Sequence, residues 1–268
     1  MKLTDEELSL LDGGSGRACR KAMEILVALG EIYDAERMVE VGSVQVSGVS
    51  YHNLGEAGLE WLEWMAEDGR AAALATLNPA GMDLERWEEL GVDEDFAIRQ
   101  LRVIAAYAAM GIAPTCTCTP YLVGNLPAPG EHVAWSESSA VAYANTALGA
   151  KTNREGGPSA LAAALTGRTP AYGLHLDDGR RPTVTVRLEG ALEGGGTAAW
   201  GALGCALGRA TGPRVPLLVG AGRPDLSELK AFGAAVVTFG GSPLVHIEGV
   251  TPEVARHASP EEEIRLSA

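Results

Sequence analysis

Lysine is scarce in these 268 residues: only Lys2, Lys21, Lys151 and Lys230 occur. With 35 acidic against 21 basic residues the formal charge is −14. A surface so poor in clustered cations is not built for nucleic acid, whose binding runs through phosphate neutralisation, and no nucleic-acid partner is expected. An anionic ligand would have to meet a local exception to this field, which singles out Lys151. Cysteine is equally sparse, and Cys19, Cys116, Cys118 and Cys205 do not space out as a disulfide framework. No apolar run approaches the roughly 20 residues that span a bilayer, so no membrane segment is expected. The opening MKLTDEELSLLDGG puts acidic residues ahead of any apolar stretch. That reverses the charge order of a secretory signal, and the expected location is the cytoplasm. There is no G-x-S-x-G elbow, no repeat of solenoid period and no low-complexity tract, which removes a hydrolase of that type, a repeat array and a linker from consideration.

What remains is a composition with 46% apolar and 21% charged residues, suited to one large α/β unit or two closely packed lobes. Thr4 is a candidate N-cap with Asp5, Glu6 and Glu7 in the first turn, and a second helical periodicity runs from Arg17 to Gly30. Strand-like runs at Met38 to Val46, Ala71 to Leu77 and Ala113 to Thr119 then alternate with helical stretches at Gly55 to Asp68, Asp93 to Met110 and Ser138 to Leu148. The alternation predicts a layered α/β fold with a largely parallel sheet. Character changes near Gly179, giving a first lobe over 1–178 and a second over 179–268. The second lobe reads as a strand at Arg180 to Gly190, a turn at Ala191 to Thr197, a helix at Ala198 to Arg209, the strand PLLVG, a helix over Asp225 to Phe232, and short strands AAVVTF and LVHIEG.

Polar residues and glycines concentrate between Thr115 and Leu176. Loops that follow strands are where layered α/β folds bind ligands. Ser136, Glu137, Ser138 and Ser139 lie where a helix begins, so the serines can serve as caps, and Glu137 is either a helix-start carboxylate or a general acid or base. In KTNREGGPSAL, Gly156 and Gly157 precede Pro158 near a first helical position, leaving backbone N–H groups at a helix amino terminus. Lys151 and Arg154 flank that turn and Arg168 follows, so a phosphate or carboxylate could meet dipole and cation together; a solvated turn is the alternative. TCTCTPY would place Cys116 and Cys118 on one face of a short strand. Cys19 and Cys205 read as packing residues, and His132 and His175 as either structural groups or site residues.

Long stretches of the chain resemble one known family. LTDEE, KAMEILVALGEIYDAERMVEV, GVSYHNLGEAGLEWL, TLNPAGMDLERW, MGIAPTCTCTPYLVGN and GEHVAWSESSAVAYANTALGAKTNREGGPSALAAALTGRTPAYGLHL are similar to the large subunit of aconitase X. TCTPY, WSESSAV and TNREGG resemble its archaeal, phosphomevalonate dehydratase branch rather than the hydroxyproline dehydratases. The resemblance implies an aconitase-like α/β/α architecture and iron–sulfur dehydration of mevalonate 5-phosphate, a small phosphorylated hydroxy acid of an archaeal isoprenoid pathway. A cis-3-hydroxyproline dehydratase subunit and a non-catalytic homologue are the alternatives.

The cofactor implied is an iron–sulfur cluster, 4Fe–4S in type, held by three cysteines with one iron open as Lewis acid. Cys118 occupies the family's TCxPY position, with Cys116 as neighbour or substitute ligand. Catalytic roles are expected for Glu137 and Ser138. Substrate contacts are expected from Ser47, Gly48, Asn78, Ser136, Lys151, Asn153, Arg154, Glu155, Gly156 and His175. The partner implied is a small swivelling subunit, which carries the family's usual serine base. Gln45 stands where the family has histidine. Family large chains continue past this length and supply further cluster cysteines there, so the resemblance implies a shortened carboxyl end, with RHASPEEEIRL echoing later family text.

Overall fold

The computed structural model describes residues 1–190, 192, 195–252 and 260–267. Two compact units make it up, the first from Met1–Leu126, His132–Glu137 and Glu155–Tyr172, the second from Pro127–Glu131, Ser138–Arg154 and Gly173–Ala268. In chain order the helices and strands are α1 (Asp5–Leu11), α2 (Arg17–Ile32), β1 (Met38–Glu40), β2 (Ser43–Val46), α3 (Tyr51–Asp68), β3 (Leu74–Leu77), α4 (Glu94–Ala109), β4 (Val133–Trp135), α5 (Ser138–Tyr143), α6 (Gly157–Thr166), β5 (Arg168–Pro170), β6 (Val184–Glu189), α7 (Gly196–Thr211), β7 (Pro216–Val219), α8 (Leu226–Gly240), β8 (His246–Ile247) and β9 (Glu263–Ser267). The expected Ala191 to Thr197 turn lies partly outside the described residues, and the tail residues His257, Ala258 and Ser259 lie wholly outside them.

The first unit is organised by a parallel three-stranded sheet in the order β3-β2-β4. Gln45 of the middle strand pairs with Thr76 on one side and Trp135 on the other. All four β2 residues are buried, as a parallel strand covered on both faces requires. Met23 and Leu26 of α2, Leu59, Leu62 and Met65 of α3, Val103 and Tyr107 of α4 and Leu161 of α6 meet these strands in one core. β1 and β5 form a separate antiparallel pair. At α1 the Thr4 hydroxyl accepts from Glu7 N–H and the Glu7 carboxylate accepts from Thr4 N–H, the reciprocal cap expected there. α2 starts after Gly16, which has no side chain to cap with. Asp68, at the end of α3, fills the gap by accepting from Arg17 N–H at 2.7 Å and Ala18 N–H at 3.1 Å.

Two expected strands are not strands. Ala113 to Thr119 forms no ladder with β3 beyond an isolated bridge from Ala113 to Thr76. Pro114 offers no N–H to a ladder, and Cys116 has a left-handed φ of 46°, so the two cysteines do not share a strand face. AAVVTF lies inside α8. There, Gly204 and Gly208 of α7 bring the helices so close that a Cβ at either would meet the Phe232 or Val236 carbonyl oxygen at 2.6 or 2.8 Å. That packing overrides the β preference of the two valines. The helix expected at Gly55 begins a turn earlier, at Tyr51, and bends at Gly55, where φ is 63°. The stretch from Ser138 to Leu148 is α5 continued by a π-helical turn, Ala144–Leu148, ended by left-handed Gly149.

The second unit carries a parallel sheet in the order β8-β7-β6-β9. Val186, Leu218, Leu207, Phe232 and Val236 form its core. Among the described residues no helix is long and apolar enough to cross a membrane.

Candidate functional site

Because β2, β3 and β4 run in parallel, their carboxyl ends lie at one edge of the sheet, and the residues that follow them share it. Ser47 and Gly48 follow β2, Asn78 follows β3, and Ser136 and Glu137 follow β4. The edge is stitched by the backbone: Asn78 N–H donates to Val46 O at 2.9 Å, Ser136 N–H to Gln45 O at 3.1 Å and Glu155 N–H to Trp135 O at 2.9 Å. The last bond brings the start of α6 to the same edge. Gly157 lies against Ser47, where a Cβ would stand 2.8 Å from the Ser47 carbonyl oxygen. Gly156 N–H is capped by Ser159 Oγ at 3.0 Å, while the following N–H groups of the first turn have no intrahelical acceptor. The amino terminus of α6 therefore lies at the strand ends, with Gly157 and Ser159 as the backbone N–H groups of its first turn and Pro158 contributing none.

The cysteine loop is fastened to this edge. Thr117 N–H and the Thr115 hydroxyl both donate to Leu77 O at 3.1 Å. The Gln45 side-chain amide donates to Thr117 O at 3.1 Å. Beyond Cys118, the loop is anchored by Asn125, fully buried, whose amide donates to Val44 O and to Thr76 Oγ1. Cys118 is exposed and Cys116 partly buried. Partial burial, then the nearby negative charge of Glu137, push the Cys118 thiol above its ordinary value, which puts Glu137 and Cys118 within electrostatic reach of each other. Burial also raises the Cys116 thiol, with the Ala80 N–H pulling the other way.

Ser47, Gly48, Asn78, Cys116, Cys118, Ser136, Glu137, Glu155 and Gly156 thus all belong to the first unit. Glu155 does not present its carboxylate to the rim. It is 5% exposed, accepts from the Ser159 hydroxyl at 2.6 Å and meets the Thr169 hydroxyl at 3.4 Å, so it acts by holding the Ser159 cap. Arg168 is also otherwise engaged: it pairs with Glu6, Glu7 and Glu40, which removes it from the expected anion cradle.

Ser138, Lys151, Asn153, Arg154 and His175 belong to the second unit. Ser138 opens α5. Lys151 is paired with Asp177, itself exposed. Asn153 Oδ1 accepts from Leu174 N–H at 2.9 Å, Arg154 is exposed and His175 is 3% exposed. The stretch is supported by Asn145, which bonds Thr152 through N–H and C=O and receives the buried Arg180 guanidinium at 2.8 Å.

Residue-by-residue reading of the sequence missed Gln45 as the strut of the cysteine loop, Asn125 as its anchor, and Asn145 and Gln100. Gln100, fully buried, clamps Val49 O, Tyr51 N–H and Gly81 N–H. The available signal was an amide inside an apolar helix face, at i−3 and i−7 from Val103 and Tyr107.

A family iron–sulfur cluster asks for three thiolates. Among the described residues no group of three histidine, cysteine or acidic side chains is placed to hold a metal ion. The donor set fits one cluster ligand, Cys118, and not a whole cluster.

The architecture defines a layered α/β protein, and the rim at the carboxyl ends of its parallel strands is the candidate site for a small molecule. Residues 1–178 match the family profile described as aconitase X first domain, and residues 182–268 that of the aconitase X second domain. The chain belongs to the aconitase X family. It is 55% identical, over 96% of its length, to the phosphomevalonate dehydratase large subunit of Methanothermobacter thermautotrophicus, and 49% identical over 98% to that of Methanosarcina mazei. It spans 63% and 66% of the lengths of those two relatives. Identity to the cis-3-hydroxy-L-proline dehydratase of Hypocrea jecorina is 37% over 95% of the chain and 43% of that relative. The crystal structure of the Thermococcus kodakaraensis aconitase X holo-form superposes with a TM-score of 0.90 at 45% identity, covering 100% of this chain and 67% of that one.

Proposed function

We propose that this chain is the site-bearing part of a cytoplasmic dehydratase large subunit, which works with a small subunit on a small phosphorylated hydroxy acid. Mevalonate 5-phosphate is the proposed substrate. The observation that carries the reading is the 55% identity over 96% of the chain to a phosphomevalonate dehydratase large subunit. The rim gives it a chemical basis. Dehydration takes a proton from one carbon and a hydroxyl from the next, and the hydroxyl leaves as water once it gains a proton. Glu137 is the rim carboxyl in position to exchange that proton beside Cys118, while Ser47, Asn78 and Ser136 supply hydrogen bonds to the acid. The first turn of α6 receives its anionic end. Lys151, Asn153, Arg154 and His175 are also proposed as substrate-binding residues.

A bound cluster would supply Lewis-acid assistance to hydroxyl departure. Cys118 is this chain's proposed contribution to it. No chemical step is derived through the cluster, since the described residues do not complete its ligand set.

The test is anaerobic reconstitution with iron and sulfide in the presence of the small subunit, followed by assay on mevalonate 5-phosphate and on cis-3-hydroxyproline. Iron uptake with turnover of the phosphorylated acid is expected. Turnover of hydroxyproline alone would move the substrate to the other branch, and iron uptake without turnover of either would end the dehydratase reading.

A further inference from the structure

A cleft of about 340 Å³ opens beside the rim in the first unit. Ser47 and Gly157, both rim residues, line its mouth, and Leu54, Trp61, Pro158 and Tyr107 form its walls. The volume is in the range that small-molecule sites occupy, and mostly apolar walls with few polar groups are their usual lining.

Tyr107 is the unusual member. It is 2% exposed, and its hydroxyl, which makes no hydrogen bond among the described residues, is not among the fully buried unpartnered groups, so its accessible remainder opens to the cleft it lines. Burial pushes the phenol further from ionising, so it is available as a neutral donor. Its position is held from two turns away by Gln100, on the same face of α4, which fastens the helix to Val49, Tyr51 and Gly81. A phenol donor held in place at the wall of an apolar cleft that shares Ser47 and Gly157 with the polar rim suits a ligand oxygen with hydrocarbon around it.

We infer that this cleft is the hydrocarbon subsite of the rim, and that it takes the methyl-bearing part of a short branched hydroxy acid. The chain of the acid packs on Leu54, Trp61 and Pro158, one of its oxygens accepts from Tyr107, and its anionic end lies at Ser47 and the first turn of α6. This rests on the reading of the rim as the substrate site, and it names Tyr107 as a specificity-determining residue for branched acids over simple anions.

The experiment uses the full chain together with its small subunit, and reads binding separately from turnover. Mevalonate 5-phosphate, 3-hydroxy-3-methylbutanoate and inorganic phosphate are titrated while tryptophan emission is followed, with Trp61→Phe identifying the part of the signal that comes from the cleft. The two branched acids are expected to change Trp61 emission and inorganic phosphate to leave it unchanged. Tyr107→Phe is expected to weaken binding of mevalonate 5-phosphate about five- to tenfold, one hydrogen bond's worth, to leave inorganic phosphate unaffected, and to leave the ligand-free melting temperature equal or higher. A purely structural tyrosine would lower it. Leu54→Phe, which narrows the cleft, is expected to weaken the branched acids in the same order.

Turnover of mevalonate 5-phosphate with no Trp61 response, or with unchanged affinity in Tyr107→Phe, overturns the subsite and leaves the dehydratase reading standing. A Trp61 response to the branched acids without turnover supports the subsite and counts against the dehydratase. Absence of both overturns the subsite.

Discussion

The Gln45 side chain donates its amide to the Thr117 carbonyl at 3.1 Å, and through this contact the middle strand of the first unit sets the position of the turn that carries Cys118. The other end of the same side chain, Oε1, is buried without a partner among the described residues. Gln45→Leu removes both the strut and the unsatisfied oxygen, so the two effects on stability oppose and the net change is expected to stay within about 1 kcal/mol. The site should not be spared. By analogy with groups that orient metal ligands, the proposed dehydratase activity is expected to fall about 10- to 100-fold. Thermal melts and turnover on the same preparation check this, and full turnover would remove Gln45 from the site's support.

Two neighbouring glycines make a second, discriminating pair. At Gly157 an added Cβ stands 2.8 Å from the Ser47 carbonyl oxygen, whereas at Gly156 the nearest atom is 3.8 Å away. Gly157→Ala must push α6 away from the strand end and is expected to cost about 1–3 kcal/mol. Gly156→Ala, with φ of −80°, should stay within about 0.5 kcal/mol. Urea midpoints of the two variants test the order, and equal midpoints would contradict the close approach.

Glu155 gives a pH prediction. Burial raises its carboxyl above the usual range, and the Ser159 and Thr169 hydroxyls pull it part of the way back. The folded chain therefore holds this proton more tightly than the unfolded chain. It follows that its contribution to stability is most favourable below the unfolded value of about 4.3 and declines as pH rises through the higher folded value. Above that value the decline stops. Glu155→Gln cannot ionise, so its stability should lack this decline and at neutral pH equal or exceed that of the parent chain. Urea midpoints from acid to neutral pH check it, and a variant that parallels the parent throughout would remove Glu155 as the source.

The two cysteines of the loop are expected to separate in iron retention. Cys118, exposed and beside Glu137, should be needed for uptake: Cys118→Ser should lose most of the iron bound in the reconstituted complex. Cys116→Ser should keep at least half of it. Iron analysis of the two variants after identical anaerobic reconstitution decides, and the reverse order would assign the ligand to Cys116.

Much of the candidate site was legible from residues alone because it is continuous in the chain. Ser136 with Glu137, and Glu155 with Gly156 and Gly157, sit at strand and helix boundaries that local signals mark. What each does was less legible. Glu155 reads as a rim contact beside Arg154 and Gly156, but the chain reverses its direction into Ser159 and Thr169. Arg168 reads as a cation for the same cradle, yet three carboxylates from α1 and β1 hold it. The Arg168 outcome has no local signature, since its partners lie more than 100 positions away in the chain, whereas Glu155 turns to hydroxyls 4 and 14 positions on.

The sequence by itself determined the reciprocal cap of α1, the amphipathic helices, the alternation that yields parallel sheets, and the family. These depend on spacings of a few residues or on long runs of matching text. Tertiary structure alone decided that Ala113 to Thr119 is a fastened turn, that AAVVTF is helix against Gly204 and Gly208, that Asp68 caps a helix beginning 51 residues earlier, and that Tyr107 keeps its hydroxyl unspent beside the rim. Each of these depends on which groups the folded chain brings within hydrogen-bonding or van der Waals distance, and a local pattern of residue types does not encode that distance.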